Sequence, residues 1–247
     1  MSTYWKSAFI GGLAGAVLSF ALMVGAHAVG FGPEIRVSDS SMHAYLVSHP
    51  EILVEMSNRL QAQQEDSDDV QRQKAVDRLG LKAYFDPRLA FVTGPANAHT
   101  TVVEFFDYNC PYCRASIPAV KKFYATHRDA RFSFIEFPIK GPKSVVAARA
   151  ALAAREQPDK YLAFHFALMG EDGPVDEKMV FADAAKAGLD VTKLKSDMAA
   201  SKIDLALAAS HTLAEATHID GTPAFIVNGK IREGAMDDGL FAQMTKK

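Results

Sequence analysis

Cysteine is nearly absent from this chain: the 247 residues include two, Cys110 and Cys113. Two cysteines cannot build a disulfide-rich scaffold, and a bond between them closes too short a loop to add much stability. Nor do they make a structural zinc site, which takes four ligands. No second C-x-x-C exists, and the histidines are scattered. An excess of one charge is missing too. The 27 basic and 29 acidic residues nearly cancel, which argues against the basic face of a nucleic-acid binder. There is no internal repeat and no phosphate-binding glycine loop. Between Ser7 and Pro33 there is no charge at all.

That uncharged run contains "AFIGGLAGAVLSFALMVGAHAVGF", Ala8 to Phe31. As a helix rising about 1.5 Å per residue it would exceed a hydrocarbon core roughly 30 Å thick. Lys6 precedes it, the positive-inside arrangement that translocates the C-terminal bulk of a chain. Ala26-His27-Ala28 also fits an A-x-A cleavage site. Residues 1–31 are therefore a signal anchor, tethering the chain through residues 8–31, or a signal peptide cut near Ala28. Either reading exports the remainder to a compartment where disulfides persist. Gly11 and Gly15 form a G-x-x-x-G, a weak signal in so small-residue-rich a stretch.

Residues 32–83 read as a polar linker to residue 39 and then helix. Met42, Leu46, His49, Leu53, Met56 and Leu60 alternate spacings of four and three, a short a/d stripe. Ser48-His49-Pro50-Glu51 divides it, with Pro50 in the first turn of the second helix. The stripe suits either packing on the chain's own domain or self-association.

From Tyr84 onward the pattern changes. "AFVTG" (90–94), "TTVVEFFDY" (100–108) and "RFSFIEFPI" (131–139) read as strands, and residues 110–127 as a helix. Ala, Leu, Lys and Glu then dominate a helical stretch to His218. "AFIVNGKIREGAM" reads as a hairpin around Asn228-Gly229, and a closing helix comes after it. The order β-β-α-β, helical block, β-β-α predicts an α/β sheet with antiparallel strands added by the hairpin.

The two cysteines fall where a strand gives way to a helix. With Cys110 at the N-cap, Pro111 takes the first helical position, where its missing N–H costs nothing. N–H groups of the first turn and the helix macrodipole then favour a Cys110 thiolate. Cys113, one turn in, is shielded and placed to resolve a mixed disulfide. Helical geometry sets the Cα atoms roughly 5–6 Å apart, within disulfide range. Transient Cu(I) binding by the thiolate pair stays chemically open. Glu104 lies between Val103 and Phe105 in the preceding strand. Buried there, it would carry a raised pKa and could exchange a proton with Cys113; on an edge strand it would face solvent.

"VVEFFDYNCPYCR" followed by "GTPAFIVNGK" resembles the DsbA-like disulfide oxidoreductases. The resemblance covers about residues 84–247 and implies a thioredoxin fold with an inserted helical domain, about 144–218. A membrane anchor and a helical stalk would precede it. It further implies that Thr222-Pro223 is the cis-proline loop that docks substrate backbone. Pro111 and Tyr112 would join that substrate surface, and Glu104 would match the family's buried carboxylate. "HAYLVSHPEILVEMSNRLQ" and "FPIKGPKSVVAARAALAA" are similar to the suppressor-of-copper-sensitivity protein C group, some of whose members trimerise through an N-terminal stalk and isomerise wrong disulfides.

The resemblance therefore implies a periplasmic thiol-disulfide isomerase or reductase acting on exported proteins with cysteines. Cys110 and Cys113 would be its redox pair, with no cofactor, no metal and no nucleic-acid partner. A membrane thiol reductase would be its electron donor, and residues 40–80 its route to a homo-oligomer. A DsbA-type dithiol oxidase is the alternative within the class; a copper-binding or holdase protein is the alternative outside it. The centre lacks the histidine of the strongly oxidising Cys-Pro-His-Cys members, and Thr222 stands where those have valine. Both departures predict a milder couple.

Overall fold

In a computed structural model of the chain, residues 38–246 are described, so the anchor or signal segment lies outside the described residues. Among the described residues no helix is long and apolar enough to cross a membrane. The chain divides into two compact units at Gln61/Ala62.

In the first unit, helix α1 (Asp39–Ser48) is capped by Ser38, whose side chain accepts from the Ser41 N–H. It ends at His49, one residue before Pro50. Helix α2 then starts at Glu51 and runs to Leu79, so the break falls where Pro50 places it. Along this unit the apolar stripe faces solvent: Met42, Leu46, Leu53, Met56 and Leu60 are all exposed.

The second unit contains the remainder of α2 and a five-stranded sheet in the order β1-β3-β2-β4-β5. Its strands are β1 (Ala90–Thr93), β2 (Thr101–Phe106), β3 (Arg131–Glu136), β4 (Ala224–Val227) and β5 (Lys230–Glu233). β2 and β3 run parallel; the other pairs are antiparallel. Helix α3 (Pro111–Thr126) makes the crossover between β2 and β3. Five helices separate β3 from β4: α4 (Pro142–Ala154), α5 (Pro158–Met169), α6 (Glu177–Lys186), α7 (Val191–Met198) and α8 (Ser201–Ala216). Helix α9 (Asp238–Thr245) closes the described chain.

Both faces of the sheet are buried, which is why its central strands read as continuous apolar runs rather than alternating ones. Val102, Phe106, Phe132, Phe134, Phe225 and Val227 point into one core with Cys113, α3 and the alanine-rich α4. Val103, Phe105, Ile135, Ala224 and Ile226 point into the other with Val76, Tyr84 and Ile219. Strand period places Glu104 on the first face between Val102 and Phe106. Because β2 is central, Glu104 is 1% exposed. The solvent-facing alternative for Glu104 is thereby overturned: no edge is available to it.

Gly94, which comes directly after β1, has φ +89°, and a Cβ there would lie 2.1 Å from the Ala130 carbonyl oxygen. Gly94→Ala therefore combines a left-handed strain with a backbone clash. We expect it to lower stability by about 2 kcal/mol or more and the melting midpoint by several degrees, measured by circular dichroism. An unchanged melt would mean the turn relaxes freely.

Candidate active site

The turn between β2 and α3 is held by its own side chains. Asp107 accepts from the Asn109 N–H at 2.7 Å with one oxygen and from the Lys140 N–H at 2.8 Å with the other. The Asn109 carboxamide oxygen accepts from the Val175 N–H at 2.6 Å. Arg114 reaches back from α3 to donate to the Tyr108 carbonyl at 2.8 Å. These residues were not singled out from sequence. The Asp-Tyr-Asn stretch before the helix is an Asx-turn signal that could have found Asp107; the others take their partners from distant segments.

Cys110 caps α3 in an extended conformation, and Pro111 takes the first turn. The expected capping bond from the sulfur to its own helix is absent. Instead the Cys110 thiol donates to the Thr222 carbonyl at 3.1 Å, because the segment before β4 lies across the helix start. The Thr222-Pro223 bond is cis. Both thiols are free and covered: Cys110 is 1% and Cys113 0% exposed. Tyr112 between them stands 67% exposed. The structure thus brings Glu104, Cys110, Pro111, Tyr112, Cys113, Thr222 and Pro223 to one place.

The environment splits the two thiols. The Cys110 pKa falls to about 5. The chief cause is a hydrogen bond from the Cys113 side chain. Burial opposes it, and the Thr222 side chain and the backbone N–H groups of Cys113 and Tyr112 assist. In the thiol form shown, these N–H groups make no capping bond to the sulfur; their pull is on the thiolate. Burial first, and then the bond to Cys110, pushes Cys113 far above its ordinary value, with the Glu104 charge adding to the rise. Burial alone raises Glu104 to about 8. Neither Glu104 carboxyl oxygen has a hydrogen-bond partner among the described residues.

A second buried acid stands on the same face. Parallel register sets Glu104 beside Phe134 and Phe106 beside Glu136, so Glu136 points toward the same core. Tyr108 Oη donates to Glu136 Oε1 at 3.3 Å and shares a 3.0 Å bond with His165 Nδ1. Burial lifts Glu136 well above the carboxylate range and lowers His165 to about 3, so the imidazole is neutral. His165 is thus a buried core residue in a hydrogen-bonded cluster. His211 is exposed and packs against Phe137.

The Glu104 shift carries a pH dependence of stability. Its folded pKa of about 8 lies above its ordinary 4.5. The stability from burying the neutral acid is fully present below 4.5 and is lost as pH rises through about 8. Glu104→Gln removes that slope. Urea unfolding at pH 5 and above pH 8 should show the variant gaining a few kcal/mol on wild type toward high pH. Parallel pH profiles would contradict a buried, neutral Glu104.

The DSBA-like thioredoxin domain family model matches residues 101–244, and the model of the copper resistance protein ScsC N-terminal domain matches residues 41–66. A thioredoxin-like oxidoreductase from Silicibacter pomeroyi is 40% identical, with a TM-score of 0.62 over 67% of this chain and 95% of that one. ScsC from Proteus mirabilis in a transitional conformation is 28% identical, with a TM-score of 0.63 over 83% of this chain and 92% of that one. Disulfide bond formation protein D of Bacillus subtilis is 30% identical over 59% of this chain and 71% of its own length. The chain spans about a quarter of the length of the first curated relatives it matches: 26% of a Na(+)/H(+) antiporter from Salinispora arenicola and 24% of one from Salinispora tropica, each 29% identical. The match over residues 101–244, more than half of the chain, shows that it belongs to the DSBA-like thioredoxin domain family.

Proposed function

We propose that this protein is a thiol-disulfide oxidoreductase of exported proteins, working as an isomerase or reductase through Cys110 and Cys113. The observation that carries the reading is the split between the thiols: one ionised near neutrality, its neighbour held protonated beside a buried acid. The Cys110 thiolate attacks a client disulfide. The client S–S bond breaks, one client sulfur joins Cys110, and the other leaves as a thiolate that takes up a proton. In reduction, Cys113 gives its proton to Glu104 in the minor fraction of molecules whose carboxyl is ionised below its pKa of about 8, and attacks the Cys110 sulfur. The client is released with two electrons, and Cys110–Cys113 becomes a disulfide. In isomerisation, a second client thiolate displaces Cys110 first, and no net electrons move.

Thr222 and Pro223 would hold the client strand, and exposed Tyr112 with Pro111 would form the rest of its bed. A membrane thiol reductase would return the pair to the dithiol. The apolar a/d stripe, left in solvent along α1 and the start of α2, supports self-association through residues 40–80. The uncharged N-terminal run supports a periplasmic setting, tethered or released. A Cys110 pKa of about 5 falls between the values near 7 for thioredoxin and near 3.5 for DsbA. That supports a milder couple than the strong oxidases have.

Reactivation of a scrambled-disulfide protein in glutathione buffer tests the isomerase reading. Efficient reactivation is expected; rapid oxidation of a reduced client without reactivation would assign the oxidase role instead. Cys110→Ser should abolish turnover. Cys113→Ser should accumulate a mixed disulfide with client, seen as a reductant-sensitive band on a non-reducing gel. Turnover retained by Cys110→Ser would sink the mechanism.

A further inference from the structure

Helix α2 passes the sheet at the β5 edge, and two of its side chains bind there. The Gln73 carboxamide donates to the Gly229 carbonyl at 2.8 Å and accepts from the Ile231 N–H at 3.1 Å, covering the hairpin tip. Arg72, one residue earlier, reaches elsewhere. Its Nε donates to the His218 carbonyl at 3.1 Å, and its Nη2 lies 2.9 Å from Glu233 and 3.8 Å from Asp220. Nη1 donates to Asp69 on its own helix at 3.3 Å. The Arg72 side chain is 11% exposed.

These partners bracket one segment. His218 opens the loop that leads to Thr222, and its φ of 59° is a left-handed turn that costs a residue with a side chain. Glu233 pairs with Ala224 on the far side of the loop, and the next residue, Gly234, donates to the Pro223 carbonyl at 2.9 Å. The N–H groups of Asp220 and Gly221 favour the charged form of Glu233, although burial outweighs them and the Arg72 cation. One guanidinium therefore grips both ends of the loop whose Thr222 carbonyl meets the Cys110 sulfur.

We propose that Arg72 is a positioning residue that fixes the 218–223 loop over Cys110, so that helix α2 at this point helps set how the redox site receives a client strand. This rests on the thiol-disulfide reading given above for the role of the loop. Its physical core, a loop held against Cys110, does not.

The test compares Arg72→Met, Glu233→Gln and Gln73→Ala in the full chain. The readouts are thermal melting, the Cys110 titration by ultraviolet thiolate absorbance, and KM and kcat for a disulfide-containing peptide. Loosening the loop takes the Thr222 side chain away from the thiolate it helps to stabilise, so Arg72→Met and Glu233→Gln should raise the Cys110 midpoint by about 0.5 to 1. KM should rise several-fold with kcat at saturation little changed. Gln73→Ala, which loosens only the hairpin tip, should leave the Cys110 midpoint and KM as in wild type. If Arg72→Met does not fold, Glu233→Gln decides. Folded variants with a lower melting temperature but an unmoved Cys110 midpoint and KM would overturn the proposal. So would a Gln73→Ala variant that moves both as far as Arg72→Met. A wild-type chain without turnover would refute the enzymatic reading alone, because the thiolate titration still tests the loop.

Discussion

One contact joins the two halves of the site: the Cys110 thiol against the Thr222 carbonyl at 3.1 Å. Its partners are 112 residues apart, with five helices of the insertion between them. The contact exists because β2 and β4 are neighbours in the sheet, paired from Val102–Val227 to Phe105–Ala224. Each strand delivers one half at the same end: the turn into α3 beyond Phe106, and the Thr222-Pro223 segment before Ala224. Covering the sulfur is a consequence of that pairing. The carbonyl itself favours the protonated thiol; the pull toward the thiolate comes from the Cys113 side chain first, then from the Thr222 side chain and the N–H groups of the first turn.

Placing acids inside the sheet is the costly part of this design. A buried carboxyl is stable only when neutral or paired. Glu104 has no hydrogen-bond partner among the described residues, so burial keeps its proton on. Glu136 has one partner, the Tyr108 hydroxyl, which also bonds the neutral His165. The contrast separates their consequences. Glu136 is tied to the turn after β2 through the Tyr108 hydroxyl. Glu104, unpartnered and close enough to Cys113 to raise its pKa, is the acid whose proton can leave.

Much of this could be read from the sequence, and the reason is locality. Cys110 as N-cap, Pro111 in the first turn and the Pro50 break are decided by residues within a turn of each other. The strands were legible because β-branched and aromatic residues cluster there. The side of the sheet on which Glu104 sits was not, because an edge strand and a central one share the same local pattern; the pairing of β2 with both β3 and β4 settles it. Glu136 was missed. Its partner is the Tyr108 hydroxyl, 28 residues away, and no short spacing announces a contact that the pairing of two strands creates. Sequence reasoning also assigned the Cys110 sulfur to its own helix N–H groups. Tertiary packing instead brought the Thr222 carbonyl to 3.1 Å from the sulfur, and the thiol donates to it.

The same separation between local and tertiary information bears on α2. As a helix it reads as two things: an apolar stripe to residue 60 and a polar run from 61 to 74. The polar run looks like solvated surface. Yet Arg72 is buried in the second unit, because the start of the 218–223 loop and the end of β5 present it with a carbonyl and two carboxylates. An arginine suits this place where a lysine would not: its planar fork meets several acceptors in fixed directions, and its charge survives burial. A helix segment that reads as a spacer is thus also a wall of the catalytic unit. The Arg72 guanidinium ties α2 to the loop lying on the Cys110 sulfur.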